Sequence, residues 1–382
     1  MIILDKSAWD KSLRLTQYCF RDNSGDFTRW YYERRTERVF ALMDDQGSVT
    51  AQVLDSRVRI SVRGCDVVSS LISHVATDPA HRSKGMMWGL LTDALRKMRV
   101  DGVALAALYP SAYSFYERYG FAACGQSARV VIHPDRLRAK PLVNRLCWDT
   151  VHDVGALTEC YAAAHSKVSG ALVRSTIDMR DRIDDLTGDG ASVVTLCRGN
   201  KIMGYWFRRD EDSAMIIDEC AFRDASARAD FLSYIASHAS TSDEAQIRIP
   251  SFDPLLRMLP DRYASVTVEP WAMFRVVDLP GLSRGLTAGT GCVTLRVVDD
   301  QMPDNTGLWR FEALDGSISV SRARIESGIG ACTLGIGAVT QWLIGSADGS
   351  ALMETGQPLT PDTACAMDAL LPARRVFLWE QC

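Results

Sequence analysis

Residues 71–98 read LISHVATDPAHRSKGMMWGLLTDALRKM and carry the strongest chemical signal in the chain. An apolar strand runs into Asp78-Pro79, then the basic turn Arg82-Ser83-Lys84-Gly85, then an amphipathic helix. Because the turn comes before the helix, its backbone N–H groups and the positive end of the helix dipole meet at one point. Such a point holds an anion and suits a pyrophosphate. Gly85 fits there because a side chain would keep a phosphate away from the backbone. Behind the turn, Met87, Leu90, Leu91, Ala94, Leu95 and Met98 recur at helical spacing and predict one buried face.

A second constellation follows at residues 109–121, YPSAYSFYERYGF. The apolar run 103–108 before it reads as a buried strand. Pro110 ends that strand, Ser111 is placed to cap a short helix, and Gly120 fits the left-handed position after the helix. Within it stands Phe115-Tyr116-x-x-Tyr119-Gly120-Phe121.

In order and spacing the two constellations resemble the GNAT acetyltransferase superfamily. Its acetyl-CoA signature, Arg-x-x-Gly-x-Gly/Ala, here reads Arg82-x-x-Gly85-x-Met87. The large apolar residue at the last position is similar to the Eis (enhanced intracellular survival) branch, as is Pro79-Ala80-His81-Arg82-Ser83-Lys84-Gly85. The resemblance implies a direct acetyl transfer from acetyl-CoA to a primary amine. Val75, Ala76 and Thr77 would hydrogen-bond the pantetheine arm and polarise the thioester. Arg82, Ser83, Lys84, Gly85, Met86, Met87 and Trp88 would surround the pyrophosphate, with Ser111 and Ala112 along the other side of the arm. Tyr116 would protonate the departing thiolate, with Tyr113 and Tyr119 as its neighbours.

An attacking ammonium must first lose a proton. The resemblance gives this task to the chain's own terminal carboxylate, here that of Cys382. The apolar run 376–379 predicts a pinned chain end, although the familiar end of the family is aromatic and this chain closes on Glu-Gln-Cys. A terminal carboxyl of pKa about 3.5 needs burial or a water relay to act as a base. His74, with an ordinary pKa of about 6.5, is the rival base or else a wall of the acceptor pocket. His81 positions backbone. The family's acceptors are cationic amines such as aminoglycosides, polyamines or lysine side chains. Asp26, Trp30, His74 and Glu380 are the candidate acceptor-binding residues. Asp22, Glu33 and Glu37 read more simply as a solvated helix face, and Tyr31 and Tyr32 as possible ring walls or helix anchors.

These residues need a large scaffold, and 382 residues allow two or three domains. With 47% hydrophobic and 24% charged residues the composition is that of an ordinary globular chain. A net charge of −4 gives no basic field to recruit nucleic acid or an anionic membrane. No apolar run approaches the about 20 residues that span a bilayer, and the first residues, without a basic stretch and a long apolar core, are not expected to be a signal peptide. The 11 cysteines lack metal-ligand spacing and read as mostly reduced core residues of a cytoplasmic protein, with no metal.

Residues 1–137 hold both constellations and form the expected catalytic GNAT domain, with an early hairpin over 39–54 turning at Asp44-Asp45-Gln46-Gly47. Residues 138–282 repeat a mixed α/β pattern. Strands are expected at 191–196, 202–207 and 215–222 and a helix at 227–238, but no Arg-x-x-Gly turn precedes that helix. They resemble the degenerate second GNAT domain of Eis-type chains. Residues 283–382, with a strand at 293–299, a turn at Asp304-Asn305-Thr306-Gly307 and a helix at 338–344, resemble a sterol-carrier-protein-like α+β domain. The expected fold class is therefore α/β (α+β): tandem GNAT folds followed by that domain. The family implies a closed homo-hexamer. A lipid-binding or scaffold protein with a vestigial enzyme module is the second function class, and an acyl-CoA sensor the third.

Overall fold

The computed structural model describes residues 1–20, 26–148, 153–259, 264–324 and 331–380; of the side chains at 26–30 it describes that of Arg29 alone. The chain forms two compact units, one of Met1–Cys124, Val168–Leu172 and Ala272–Cys382, the other of Gly125–Lys167 and Val173–Trp271. The fold class is the mixed α/β one expected. No described helix is long and apolar enough to cross a membrane.

In the first unit the elements run β1 (Ile2–Ile3), α1 (Trp9–Phe20), α2 (Asp26–Arg34), β2 (Arg38–Met43), β3 (Val49–Val62) and β4 (Cys65–Thr77), then α3 (Met86–Val100), β5 (Leu105–Leu108), α4 (Tyr113–Glu117) and β6 (Ala122–Ala123). The sheet order is β1-β2-β3-β4-β5, then the strand Met273–Val276, then β6. The expected early hairpin is β2 and β3, paired antiparallel. Its turn is set by Asp44, whose carboxylate accepts the Gln46 and Ser48 N–H groups at 3.0 and 2.8 Å. One face of the sheet packs on α1 and α2 through Trp9, Leu13, Tyr31 and Tyr32. The other packs on α3, whose buried residues include all six apolar positions read from its periodicity.

The C-terminal part of this unit has a four-stranded sheet, in the order Ser317–Arg322, Gly307–Leu314, Cys292–Val298, Cys332–Gly335. Helices Ile336–Ile344 and Pro361–Leu370 belong to the same part. Its large apolar side chains fill its own core: Leu295, Phe311, Trp342 and Met367 are buried, with the Phe311 and Trp342 rings edge to face at 5.1 Å. Arg63, at the two-residue β3–β4 turn, donates to the carbonyls of Trp342, Leu343 and Pro372 at 2.7–2.8 Å. A cation thus meets the negative end of a helix.

The second unit has a seven-stranded sheet of its own. Strands Ser192–Arg198, Lys201–Glu211 and Ala214–Phe222 and helix Ala225–Ala236 fall where the sequence pattern put them. Its interior holds a buried ion cluster. Glu219 accepts both Arg174 guanidinium nitrogens at 2.6 and 2.9 Å, Arg182 Nε at 3.0 Å and the Tyr205 hydroxyl at 2.8 Å. Burial alone would raise the Glu219 carboxyl. The Arg174 and Arg182 guanidinia and the Tyr205 hydroxyl outweigh it and hold the group well below the usual carboxylate range.

The ten described cysteines are all free thiols, and of these Cys124, Cys160 and Cys220 are buried. Most therefore sit at half-buried or exposed positions, against the expectation of core residues.

Glu219→Gln keeps the shape and removes the buried carboxylate that Arg174 and Arg182 share. Denaturant unfolding at neutral pH should show a loss of about 3–5 kcal/mol. Glu219 has a depressed folded pKa, so its stabilisation is full above about pH 4.3 and fades as pH falls below it. The variant should lack that part of the acid dependence.

Candidate functional site

Strand β4 pairs with β5 in parallel from Ser69–Leu105 to Ile72–Leu108, and the pairing stops there. β4 nevertheless continues to Thr77. Along β3 the register shifts, with Gln52 opposite Ala76 and Leu54 opposite Ser73, so Val53 faces both His74 and Val75. This is a β-bulge, and it bends the bulged strand. His74 sits at its centre with φ of 46°. The two strands part after Ile72, and the edge of 73–77 turned toward β5 carries no ladder.

That gap opens into a cleft of about 820 Å³. Val75, Ala76 and Thr77 line one side of it, Ser111 and Ala112 the other, and Tyr116 and Tyr119 line it from α4 and the turn after it. The basic turn and the start of α3, residues 81–88, form a further wall. Every residue the sequence placed around the coenzyme lines this one cleft, and so does Tyr116.

The turn is built from local strain and local capping. The Asp78 carboxylate accepts the Ala80 N–H at 2.8 Å and starts a short 3₁₀ turn at Pro79. Ser83 and Gly85 both have positive φ, 61° and 72°. Gly85 is the N-cap of α3, and no side chain caps the helix. A Cβ on Gly85 would meet no atom within 4 Å. Glycine is therefore required by the backbone conformation and leaves open space in front of unsatisfied helix N–H groups. Arg82 Nε donates to the Thr77 carbonyl at 3.1 Å, which ties the turn to the end of β4. Met87 faces the core as well as the cleft, which accounts for a bulky residue where the general signature has a small one.

Tyr116 is 6% exposed and stands edge to face with Phe115 and Phe121, ring centres 4.9 and 6.1 Å away. Burial, and then the neighbouring Tyr119, push its phenol up to about 12. It keeps its proton throughout the physiological range. Tyr119 lines the cleft beside it and carries the Trp88 ring at 5.1 Å. Tyr113 packs against the core and does not line the cleft. The expected Ser111 cap is not formed. Ala112 is the N-cap of α4, without a side-chain bond, because Ser111 lies one residue too early and lines the cleft instead. Gly120 takes the expected left-handed conformation, φ 79°.

His74 packs among the rings of Phe20, Tyr31 and Tyr32, at 5.3, 4.8 and 6.3 Å, and its Nδ1 lies 3.1 Å from Ser73 Oγ. Phe20 in turn lines the cleft. Residues 376–380 are buried, and Tyr109 donates to the Leu378 carbonyl at 2.5 Å, two residues before Ser111. Glu380 is buried in this segment. Cys382 lies outside the described residues, as do the side chains of Asp26 and Trp30. Cys19, Phe20, Phe115 and Arg118 also line the cleft, and the sequence reading gave them no role. Cys19 and Phe20 arrive from the end of α1, far upstream of either constellation, and no motif marks them.

Residues 2–124 match the family described as acetyltransferase (GNAT) domain, residues 170–276 match a second family of the same description, and residues 283–379 match the sterol carrier protein domain. No curated protein matches the sequence. Solved structures share the fold over the whole chain, among them the following three. A conserved protein of Enterococcus faecalis V583, called a probable N-acyltransferase, superposes with a TM-score of 0.89 at 20% identity, covering 100% of this chain and 99% of that one. A GCN5-related N-acetyltransferase from Anabaena variabilis gives 0.87 at 18%, and Eis1 from Mycobacterium abscessus 0.78 at 17%, each covering 100% of both chains. With two GNAT acetyltransferase domains ahead of a sterol carrier protein domain, the chain is a GNAT-type acyltransferase.

Proposed function

We propose that this protein moves the acetyl group of acetyl-CoA directly onto a primary amine of a cationic acceptor, aminoglycoside-like, polyamine or lysine. The observation that carries the reading is the convergence on one cleft of an uncapped helix N-terminus, an unpaired strand edge and a buried neutral tyrosine. Pyrophosphate is held at Gly85 by backbone N–H groups and the dipole of α3. The pantetheine arm completes the broken ladder along residues 75–77, and backbone N–H groups there polarise the thioester carbonyl.

In the transfer the amine nitrogen bonds to the carbonyl carbon, the C–S bond breaks, and the amine's proton leaves to a base. A phenol with a pKa of about 12 is a weaker acid than an ordinary thiol of about 8.5. Tyr116 therefore acts chiefly by donating a hydrogen bond to the developing thiolate. The base is the Cys382 carboxylate or His74. The buried 376–380 segment, tied to Tyr109, supports a chain end near the cleft. His74 packs against Phe20, which lines the cleft. His74, Asp26, Trp30 and Glu380 are the acceptor-side residues of this reading. The bulky Met87 supports the Eis branch. A closed homo-hexamer in the cytoplasm, acting on a small cationic amine and on neither nucleic acid nor membrane, completes the reading. Thiol release from acetyl-CoA with a panel of aminoglycosides, polyamines and basic peptides tests it, and no release with any of them would refute it.

Gly85→Asp should abolish acetyl-CoA binding by calorimetry, because it adds both a strained side chain and a negative charge in front of the phosphate cradle. Undiminished binding would remove the site.

Tyr116→Phe should lower turnover by about 10²-fold, the lower end of proton-transfer contributions, with coenzyme affinity unchanged. Because burial holds the phenol at about 12, the wild-type rate should show no alkaline fall near pH 10, where an ordinary tyrosine ionises.

Extending the chain beyond Cys382 should depress turnover without unfolding, while Cys382→Ala, which keeps the carboxylate, should stay active. A normal extended enzyme alongside an inactive His74→Ala variant would assign the base to His74.

A further inference from the structure

Behind the cleft, the first unit is closed by a loop that belongs to the sterol carrier region. Asp299, directly after strand Cys292–Val298, is almost fully buried and accepts Arg275 Nη2 at 2.9 and 3.1 Å. The same carboxylate accepts the Gln301 and Met302 N–H groups at 3.2 and 3.0 Å and Asn305 Nδ2 at 2.9 Å. These bonds fix the loop. Gln301 then spans two elements of the cleft: its Oε1 accepts the Thr92 hydroxyl of α3 at 2.5 Å, and its Nε2 donates to the carbonyl of Arg118, just past α4, at 3.5 Å. Met302 packs in the cluster that contains Met87, Tyr116 and Tyr119. Arg275, held by Asp299, lies under Gly120, where any Cβ would collide with its guanidinium.

We propose that the loop 299–302 sets the spacing between the phosphate helix α3 and the tyrosine helix α4, and that Gln301 is a positioning residue for Tyr116. The inference rests on the role given to Tyr116 above. α4 has five residues and no capping side chain, so it holds no position by itself. It is anchored from outside, by apolar packing and by the Gln301 amide that also reaches α3. The sterol carrier region then serves the acyl-transfer site as its back wall.

Gln301→Leu in the full chain keeps the bulk and removes both hydrogen-bonding ends. With acceptor saturating, kcat should fall about tenfold, short of the about 10²-fold that a 1 Å misplacement costs, while the Kd for coenzyme A by calorimetry is unchanged. In a Tyr116→Phe background the same substitution should have no further effect on kcat, because the group it positions is gone. Thr92→Val removes the other end of the bridge and should behave alike, which keeps the test available if Gln301→Leu does not fold. A loss that persists in full in the Tyr116→Phe background would mark Gln301 as merely structural and overturn the proposal. If Tyr116→Phe alone leaves turnover intact, the hydrogen-bonding role given to Tyr116 itself falls and this inference goes with it.

Discussion

A strand cannot satisfy a neighbouring strand and a ligand with the same backbone groups, and the first unit is organised around that constraint. Buried N–H and C=O groups need partners. Where β4 and β5 part after Ile72 and Leu108, one edge of residues 73–77 is withdrawn from the ladder. The bulge at His74 bends β4, while β5 is paired on both edges, with β4 as far as Leu108 and with Met273–Val276. The inserted strand thus stabilises β5 on the side away from the gap.

The two GNAT-like sheets show how little separates a phosphate cradle from a closed helix end. In the second unit, strand Ala214–Phe222 is parallel to Glu244–Pro250 with helix Ala225–Ala236 between them, as β4 and β5 flank α3. That helix begins at Asp224, whose carboxylate accepts the Ala227 N–H at 2.9 Å. A negative side chain already satisfies the end that Gly85 leaves open in α3. An incoming phosphate would meet a carboxylate there, where in α3 it meets bare N–H groups and a positive dipole. The second unit instead carries its buried charge inside, as Glu219 with Arg174 and Arg182.

What the sequence displayed was local. The stripe from Met87 to Met98, the αL glycines 85 and 120, and the apolar strand before Tyr109 follow from spacing and backbone preference over a few residues. The misses were also physical. Ser111 looks like a cap because serine is a good one, but the helix starts one residue later and the backbone of Ala112 takes the position. Cys19 and Phe20 enter the cleft only because α1 packs across β4, a contact that no short motif encodes. Residues 271–278 carry an apolar run that would suit either sheet, so nothing in them says that Met273–Val276 pairs with β5 and β6.

The residue with the most demanding task sits on the element least able to hold it. A helix the length of α4 is not stable by itself in water, and its N-terminus has no side-chain cap. Its geometry must come from tertiary contacts, and one of them, at Gly120 just after it, is with a buried charge. Burial lowers the pKa of Arg275, while Asp299 opposes that shift and keeps the guanidinium paired. A buried ion pair contributes little net stability compared with a well-packed apolar pair, yet losing one partner costs about 3–5 kcal/mol. Such a pair tolerates one arrangement and punishes others. With Gly120 lying over the guanidinium and the 299–302 loop folded around the carboxylate, that intolerance passes directly to the turn that ends α4, and so to the placement of Tyr116.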